Sequence, residues 1–432
     1  MPVGEYAGVP LQDSGDTWRN GAVFVLREAP RRSVSVSLDG WVTSVVEGTK
    51  AVVTCGPSTA TTFEAAFNEA LSAANRGLDY LSATAAAHCA IRDALDDCIV
   101  WWSGRDGTVM RSKFIHTMRA GVNDPIVTVT DADGNVVPSP PPPTPMVHDA
   151  FRFMRISRTS DDLYDSYRNL FLAFECLLSD IRPPRQIESR RSWQWWKWKV
   201  LRRGGPPPKR WESERQWFMD ALSEAHELAS LASLTPSNVT NHRKWIYKNM
   251  YQAQRSGLMH AKPDRGRGYL LPQDQARRAE LIEALGKLWD YIRAFNEKHL
   301  GVRARRSFLY RHGWAMLADP LLTDATLFAS DASEMSREDG SLPEGSTTVE
   351  SPSTPPEEDT TDYMLRTIAG SCDAPKLRGL QAIRMIGFTS KAMSVTSELT
   401  GPLVVGDSVA RFEIVTGLRN HNESEAPRTF SS

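Results

Sequence analysis

The stretch DDLYDSYRNLFLAFECLLSD, residues 161–180, decides how the chain is read. Leu163, Tyr164, Tyr167, Leu170, Phe171, Phe174, Leu177 and Leu178 recur at three- and four-residue intervals, which gathers them on one face of a helix. Ser160 is placed to cap that helix, and acids in its first turn suit the helix dipole. Downstream the same period predicts helices over 212–231, 239–259 and 273–299, the last opened by Pro272 and carrying Leu281, Leu285, Leu288, Trp289 and Ile292. Four amphipathic helices with short polar joints predict a helical bundle.

Upstream the period shortens. Between Ala22 and Thr54 short alternating runs predict strands, and Phe63, Phe67, Leu71, Ala74 and Leu78 then predict a helix over 61–80. Ile99–Trp102 and Thr108–Met110 flank Ser-Gly-Arg-Asp-Gly, and Ile126–Thr130 and Val136–Val137 flank Asp131-Ala-Asp-Gly-Asn135; both read as hairpins. The second turn is no calcium loop, because its twelfth position, where a bidentate acid is needed, is Pro142. Prolines between 138 and 145 make a stiff spacer. Residues 331–362 hold ten acids against Arg337, a net of -9, and predict a disordered linker, after which Ala382–Phe388 and Val409–Thr416 read as strands.

The expected fold class is therefore multidomain and mainly α in the centre. An N-terminal α+β domain (1–137) and a proline-rich spacer (138–147) precede the helical bundle (148–330). An acidic disordered linker (331–362) and a small β-rich C-terminal unit (363–432) follow.

At 432 residues with 41% hydrophobic and 24% charged side chains, the chain has ample material for packed cores, and wholesale disorder is excluded. A net charge of -1 excludes a uniformly basic nucleic-acid coat. Five cysteines without a CxxC pair suit a reducing compartment. Residues 1–17 lack the basic and apolar regions of a secretory signal, and no run nears 18 consecutive apolar residues; the expectation is a soluble cytoplasmic protein without a transmembrane segment. There is no P-loop, GxGxxG, HExxH or zinc-like Cys/His cluster, so neither a cofactor nor a metal is expected.

Chemistry points to Arg255-Ser-Gly-Leu-Met-His260, near the end of the third predicted helix. An imidazole can take the proton of a ribose 2'-hydroxyl or return one to a leaving 5'-oxygen, while a guanidinium binds the charge that builds on the phosphate. Five positions on an ideal helix put two side chains about 140° apart, so the pair converges only if the helix ends or distorts, for which Gly257 and Pro263 provide weak points. Arg111–His116 has the same interval, and Arg293–His299 and Arg306–His312 differ by one residue, but these lie in a β-containing segment, within a continuous helix and beyond the bundle. The plain alternative is that His260 caps or packs the helix end and Arg255 is a solvated charge.

The phrase Tyr247-Lys-Asn to His260-Ala-Lys262, with Tyr167-Arg-Asn-Leu-Phe-Leu-Ala-Phe-Glu175, resembles the HEPN superfamily, whose Arg-x4-6-His motif lies near the junction of the last two core helices. Within it the sequence looks like the Apea-like branch and is similar to bacterial MauJ-like proteins, a label that reflects gene neighbourhood and implies no chemistry. The resemblance covers residues 150–300. It implies a HEPN-like bundle that is a metal-independent endoribonuclease, commonly a dimer, often deployed as a toxin or in antiviral defence. It makes Arg255 and His260 the catalytic pair, with Ser256 standing where many active members carry Asn, Asp or His. Glu175 either orients the pair or accepts a buried hydrogen bond. A homodimer would place two copies of the pair around one cleft, giving an acid and a base on opposite sides of the phosphate.

The strongest partner signal is the stretch 182–211. Residues 182–210 hold ten Lys or Arg against Glu188, a net of +9. Arg190, Arg191, Lys197, Lys199, Arg202 and Arg203 alternate with Trp193, Trp195, Trp196 and Trp198, and Trp211 follows. Cations bind phosphates and indoles stack on bases, so the stretch suits single-stranded RNA, with Lys262, Arg265 and Arg267 beyond the motif adding charge. Packing of the indoles in a core or dimer interface fits as well, and an anionic membrane surface is a third reading. The acidic segment either competes with RNA until a regulatory protein partner displaces it or is a solvated tether. Against the nuclease stands a non-catalytic RNA-binding or protein-interaction scaffold.

Overall fold

The structure is a computed structural model describing residues 3–12, 20–92, 94–118, 133, 147–160, 162–188, 209–259, 275–302, 311–333, 343, 345–358 and 364–420. The N-terminal part contributes β1 (Gly4–Tyr6), β2 (Val9–Pro10), β3 (Asn20–Val25), β4 (Val34–Leu38), β5 (Trp41–Val45), β6 (Ala51–Gly56), helix α1 (Phe63–Ala83), β7 (Asp97–Gly104) and β8 (Gly107–Met118). The middle contributes α2 (Asp149–Thr159), α3 (Leu163–Ile181), β9 (Gln186–Glu188), β10 (Lys209–Trp211) and α4 (Glu214–Leu228). Next come α5, in which α-helical His242–Ile246, π-helical Tyr247–Arg255 and α-helical Ser256–Met259 run on, and α6 (Gln275–His299). The C-terminal part supplies α7 (Arg311–Leu322), β11 (Thr326–Ser330), β12 (Thr348–Pro352), β13 (Glu357–Glu358), β14 (Leu365–Asp373), α8 (Ala374–Leu377), β15 (Ile383–Thr389), β16 (Ser394–Val405) and β17 (Val409–Asn420).

These elements form two units. One draws on both ends of the chain, within 3–118 and 311–420, and the other on its middle, within 147–302.

The first unit contains a nine-stranded sheet, β13-β14-β17-β8-β7-β3-β6-β5-β4, and a six-stranded sheet, β12-β11-β15-β16-β1-β2. In the larger sheet β17 runs parallel to β8, with Glu413 opposite Arg111 and Leu418 opposite His116. Strand β3, Asn-Gly-Ala-Val-Phe-Val, is buried along its whole length because both its faces are covered. Ala22 and Phe24 join Val52, Val100 and α1 residues Phe67, Ala70, Leu71 and Ala74 in one core. Val23, one residue out of phase, joins Trp101, Met110 and Phe412 with Leu327, Ile386 and Phe388 of the six-stranded sheet in another. The strand period of two thus sends alternate residues into two hydrophobic layers. Helix α1 approaches closely at Gly77, where a Cβ would lie 2.5 Å from the Thr43 side chain.

The second unit packs α3, α4, α5 and α6 around one apolar core. Tyr167, Leu170, Phe171, Phe174, Leu177 and Leu178 of α3 meet Phe218 and Leu222 of α4, Ile246 and Met250 of α5, and Leu285, Leu288 and Ile292 of α6. Burying each such side chain is worth about 1.5–3 kcal/mol. Capping follows from the residue before each helix: Asp162 accepts from the Asp165 amide, Ser213 from Gln216 and Asn241 from Lys244. Asp162, not Ser160, therefore caps α3.

The expected fold class is corrected by this arrangement. Among the described residues 39% are helical and 33% strand, with two large sheets, and this is not a mainly α centre flanked by minor modules. No small C-terminal β unit stands apart: β14 and β17 belong to the sheet that holds β3–β8, and β16 pairs with β1. Helix α7 and strand β11, expected within the 148–330 bundle, belong to the sheet unit, where Arg366 of β14 makes two hydrogen bonds to Asp319 of α7, at 2.7 and 3.1 Å. The acidic segment 331–362 is not wholly a linker, because Thr348–Pro352 pairs with β11 as an edge strand. The predicted 126–137 hairpin and the proline spacer fall outside the described residues, apart from Asp133 and Val147.

Candidate functional site

Arg255 ends the π-helical part of α5. There the Ser256 amide donates to the Tyr251 carbonyl, five residues back, and the Ser256 hydroxyl donates to the same oxygen at 3.1 Å. The helix therefore distorts before the motif rather than within it; Ser256–Met259 is again α-helical. Ser256, which stands where many active HEPN members carry Asn, Asp or His, turns its hydroxyl back to its own helix.

The π-helical stretch builds a column at four-residue intervals. The Tyr247 ring stacks on Tyr251 with centroids 5.4 Å apart at 14°, and the Arg255 guanidinium lies 5.1 Å from the Tyr251 centroid. Tyr251 in turn packs 4.6 Å from Phe218 of α4, and Arg215 lies 5.5 Å over the Tyr247 ring. Beside Arg255, Gln254 accepts a 2.7 Å hydrogen bond from the buried Tyr167 hydroxyl of α3.

Glu175, six residues before the end of α3, meets Arg255 with Oε1 3.3 Å from Nη2. Both are mostly buried, their side chains 14% and 19% exposed. Burial raises the Glu175 carboxyl above the usual carboxylate range; Arg255 opposes that rise and Glu214 adds to it. Burial and the neighbouring Glu214 likewise push the Tyr251 phenol up. The Arg255 Nε–H is buried and has no hydrogen-bond partner among the described residues. The guanidinium is held on one side by the Glu175 carboxylate and on another by the Tyr251 ring.

His260, Lys262, Arg265 and Arg267 lie outside the described residues, as do Arg190, Arg191, Trp193, Trp195, Trp196, Lys197, Trp198, Lys199, Arg202 and Arg203. The structure does show how the ends of the basic stretch are fixed. Strands β9 and β10 pair antiparallel, Gln186 opposite Trp211. Beneath them Arg182 donates to Glu212 at 2.6 and 2.8 Å and to Asp220 at 3.0 Å, and Glu212 also accepts from the Arg185 amide. Trp211 is 63% exposed.

The described residues of the other Arg/His intervals have partners elsewhere. Arg111 binds Glu413 at 2.7 Å and lies over Phe63, while His116 faces Phe388 and Ser397. On α6, His299 binds Asp180 of α3 at 2.5 Å. Arg306 falls outside the described residues. Among the described residues no cluster of three or more His, Cys, Asp or Glu could hold a metal, and none of the five cysteines is in a disulfide. No helix among them is long and apolar enough to cross a membrane.

Sequence reasoning found Arg255, Ser256 and Glu175 but missed Tyr247, Tyr251 and Glu214. The signal was present in the four-residue spacing of Tyr247, Tyr251 and Arg255 on one predicted helix. Compared with family models, with curated proteins and with solved structures, the chain gives no match, so the resemblance to the HEPN superfamily stands on the residues quoted for it.

Proposed function

We propose that the helical unit is a HEPN-like, metal-independent endoribonuclease that cleaves single-stranded RNA in the cytoplasm as a homodimer, a toxin or antiviral effector held in check by a regulatory protein. The observation that carries this reading is the poise of Arg255: a guanidinium preset by Glu175 and Tyr251 at a helix distortion, its buried Nε–H without a partner among the described residues, five residues before His260. π-Helical turns within α-helices recur at functional sites.

In the proposed reaction His260 of one copy accepts the proton of the ribose 2'-hydroxyl as that oxygen attacks phosphorus. The bond to the 5'-oxygen breaks, and an imidazolium, from the second copy of His260, returns a proton to it. The products are a 2',3'-cyclic phosphate and a 5'-hydroxyl. Arg255 stabilises the charge on the non-bridging oxygens as the phosphorus becomes five-coordinate. Glu175 orients Arg255 and exchanges its place for the phosphate.

The test is single-stranded RNA incubated with the full chain in EDTA. Cleavage that leaves cyclic phosphate, requires the 2'-hydroxyl and disappears in His260→Ala supports the nuclease. Uncut RNA that is nevertheless bound, with no regulatory protein present, would sink it.

A second reading, a non-catalytic RNA-binding or interaction scaffold, is favoured by one observation. Arg255 already has an ion pair and a cation–π contact, and the Ser256 hydroxyl is committed to its own helix, which is how a packing residue looks.

A further inference from the structure

Trp211 is a large indole left mostly in water, although its two chain neighbours toward α4 are firmly held. Glu212 is buried, its side chain 1% exposed, against the Arg182 guanidinium. Ser213 caps α4. The strand period explains the difference: with Glu212 turned toward the core, Trp211 takes the opposite face of the ribbon. A two-stranded ribbon of three residue pairs does not hold itself together in water. Here its base is closed by the Arg182–Glu212 pair, by the Glu212 amide donating to the Arg185 carbonyl at 3.0 Å, and by the Trp217 indole donating to the Arg182 carbonyl at 2.7 Å. Trp211 is thus an exposed ring on a fixed mount.

The chemistry around that mount selects a ligand. The described side chains beside Trp211, Arg185 and Gln186, are exposed and polar. One ring face suffices for a nucleobase, and in the amino-acid sequence residues 182–210 carry a net of +9. Stacking on an aromatic ring beside backbone-tracking cations is how single strands are bound without sequence readout.

We infer that Trp211, fixed by the buried Arg182–Glu212 pair, is a base-stacking residue of a single-stranded RNA-binding ribbon. This rests on the RNA reading above and extends it from the cleavage residues to the residue that holds the strand. A stacked base contributes about 1–3 kcal/mol, which corresponds to roughly 5- to 150-fold in affinity.

The experiment measures binding of a fluorescein-labelled oligouridylate to the full chain in the His260→Ala background, so that no cleavage intervenes. Trp211→Ala should weaken binding within that range and Trp211→Phe should largely restore it, with thermal unfolding of both variants unchanged because the side chain is exposed. Arg185→Ala should reduce the slope of log affinity against log salt by about one. Unchanged affinity in Trp211→Ala overturns the inference. So does loss of binding to phosphatidylserine vesicles with oligouridylate binding intact, which would make the ribbon a membrane anchor. Should Trp211-dependent binding persist in a protein that never cuts RNA, the ribbon stands and the nuclease reading falls; cleavage by a protein whose binding ignores Trp211 gives the reverse.

Discussion

Arg111 and His116 on β8 share with Arg255 and His260 an interval of five residues, but the elements that carry them treat that interval oppositely. On a strand, residues an odd number apart face opposite ways. Arg111 accordingly turns toward α1, over the Phe63 ring at 4.6 Å and bound to Glu413, while His116 turns toward the six-stranded sheet, where its ring lies 6.4 Å from Phe388. One backbone separates the guanidinium from the imidazole, and no shared ligand can reach both. Arg255 instead ends a π-helical turn, and its buried Nε–H has no hydrogen-bond partner among the described residues. Spacing therefore carries chemistry only through the secondary structure that realises it.

The largest expected effect tests this directly. Under the nuclease reading, His260→Ala should lower the rate of RNA cleavage by about 10²–10⁴-fold, the usual contribution of a positioned acid or base. His116→Leu should leave that rate unchanged. Equal losses in the two variants would erase the distinction between the strand pair and the helix pair.

His116 should reveal itself through stability instead. Burial pushes its imidazole down from 6.5 to about 4. A histidine whose folded value is depressed must shed its proton to fold. Its contribution is therefore complete above about pH 6.5 and is lost as pH falls toward 4, by about 3 kcal/mol at most. Urea unfolding of the sheet unit, followed between pH 7 and 4, should show this slope, and His116→Leu should flatten it. A somewhat smaller effect is expected at the neighbouring arginine: Glu413→Gln, which removes the charge facing Arg111, should cost about 1–2 kcal/mol at pH 7 in the same assay. The Phe63 and Trp102 rings remain to hold the guanidinium.

How much of this was legible in the sequence depended on whether the deciding partner was local. Helix α3 was readable because its apolar period and its cap lie within twenty residues, although Asp162 and not Ser160 provides the cap. Helix α1 and the β7–β8 hairpin were readable for the same reason. The parallel pairing of β17 with β8 was not, since about 300 residues separate Glu413 from Arg111 and nothing in either strand names the other. Strand β16, Ser-Val-Thr-Ser-Glu-Leu-Thr-Gly-Pro-Leu-Val-Val, escaped notice because its polar positions and Pro402 mask the alternation; it gains its place from pairing with β15 and β1. In the candidate site, Glu175 was visible as an acid on an apolar helix face, and Arg255 through its motif. The π-helical geometry was not visible, because four-residue spacing is shared by α and π turns, and the five-back hydrogen bonds that distinguish them leave no mark on residue type.

The smallest expected effect also has the opposite sign from that of His116. Burial lifts the Glu175 carboxyl even though Arg255 stands beside it. A carboxyl whose folded value is raised favours the folded state while it is protonated, and that contribution fades as pH rises through the folded value. The helical unit should therefore become slightly less stable, relative to Glu175→Gln, as pH climbs from 4 toward 7, while the sheet unit gains stability over the same interval through His116. Hydrogen exchange resolves the two units separately: amides of α3 and α5 should lose the pH dependence in Glu175→Gln, and those of β8 should keep it. If the Glu175→Gln unit is instead more weakened at pH 7 than at pH 4, the ion pair with Arg255 outweighs the cost of burying the carboxylate. Arg255 would then be a cation locked in place rather than one waiting for a phosphate.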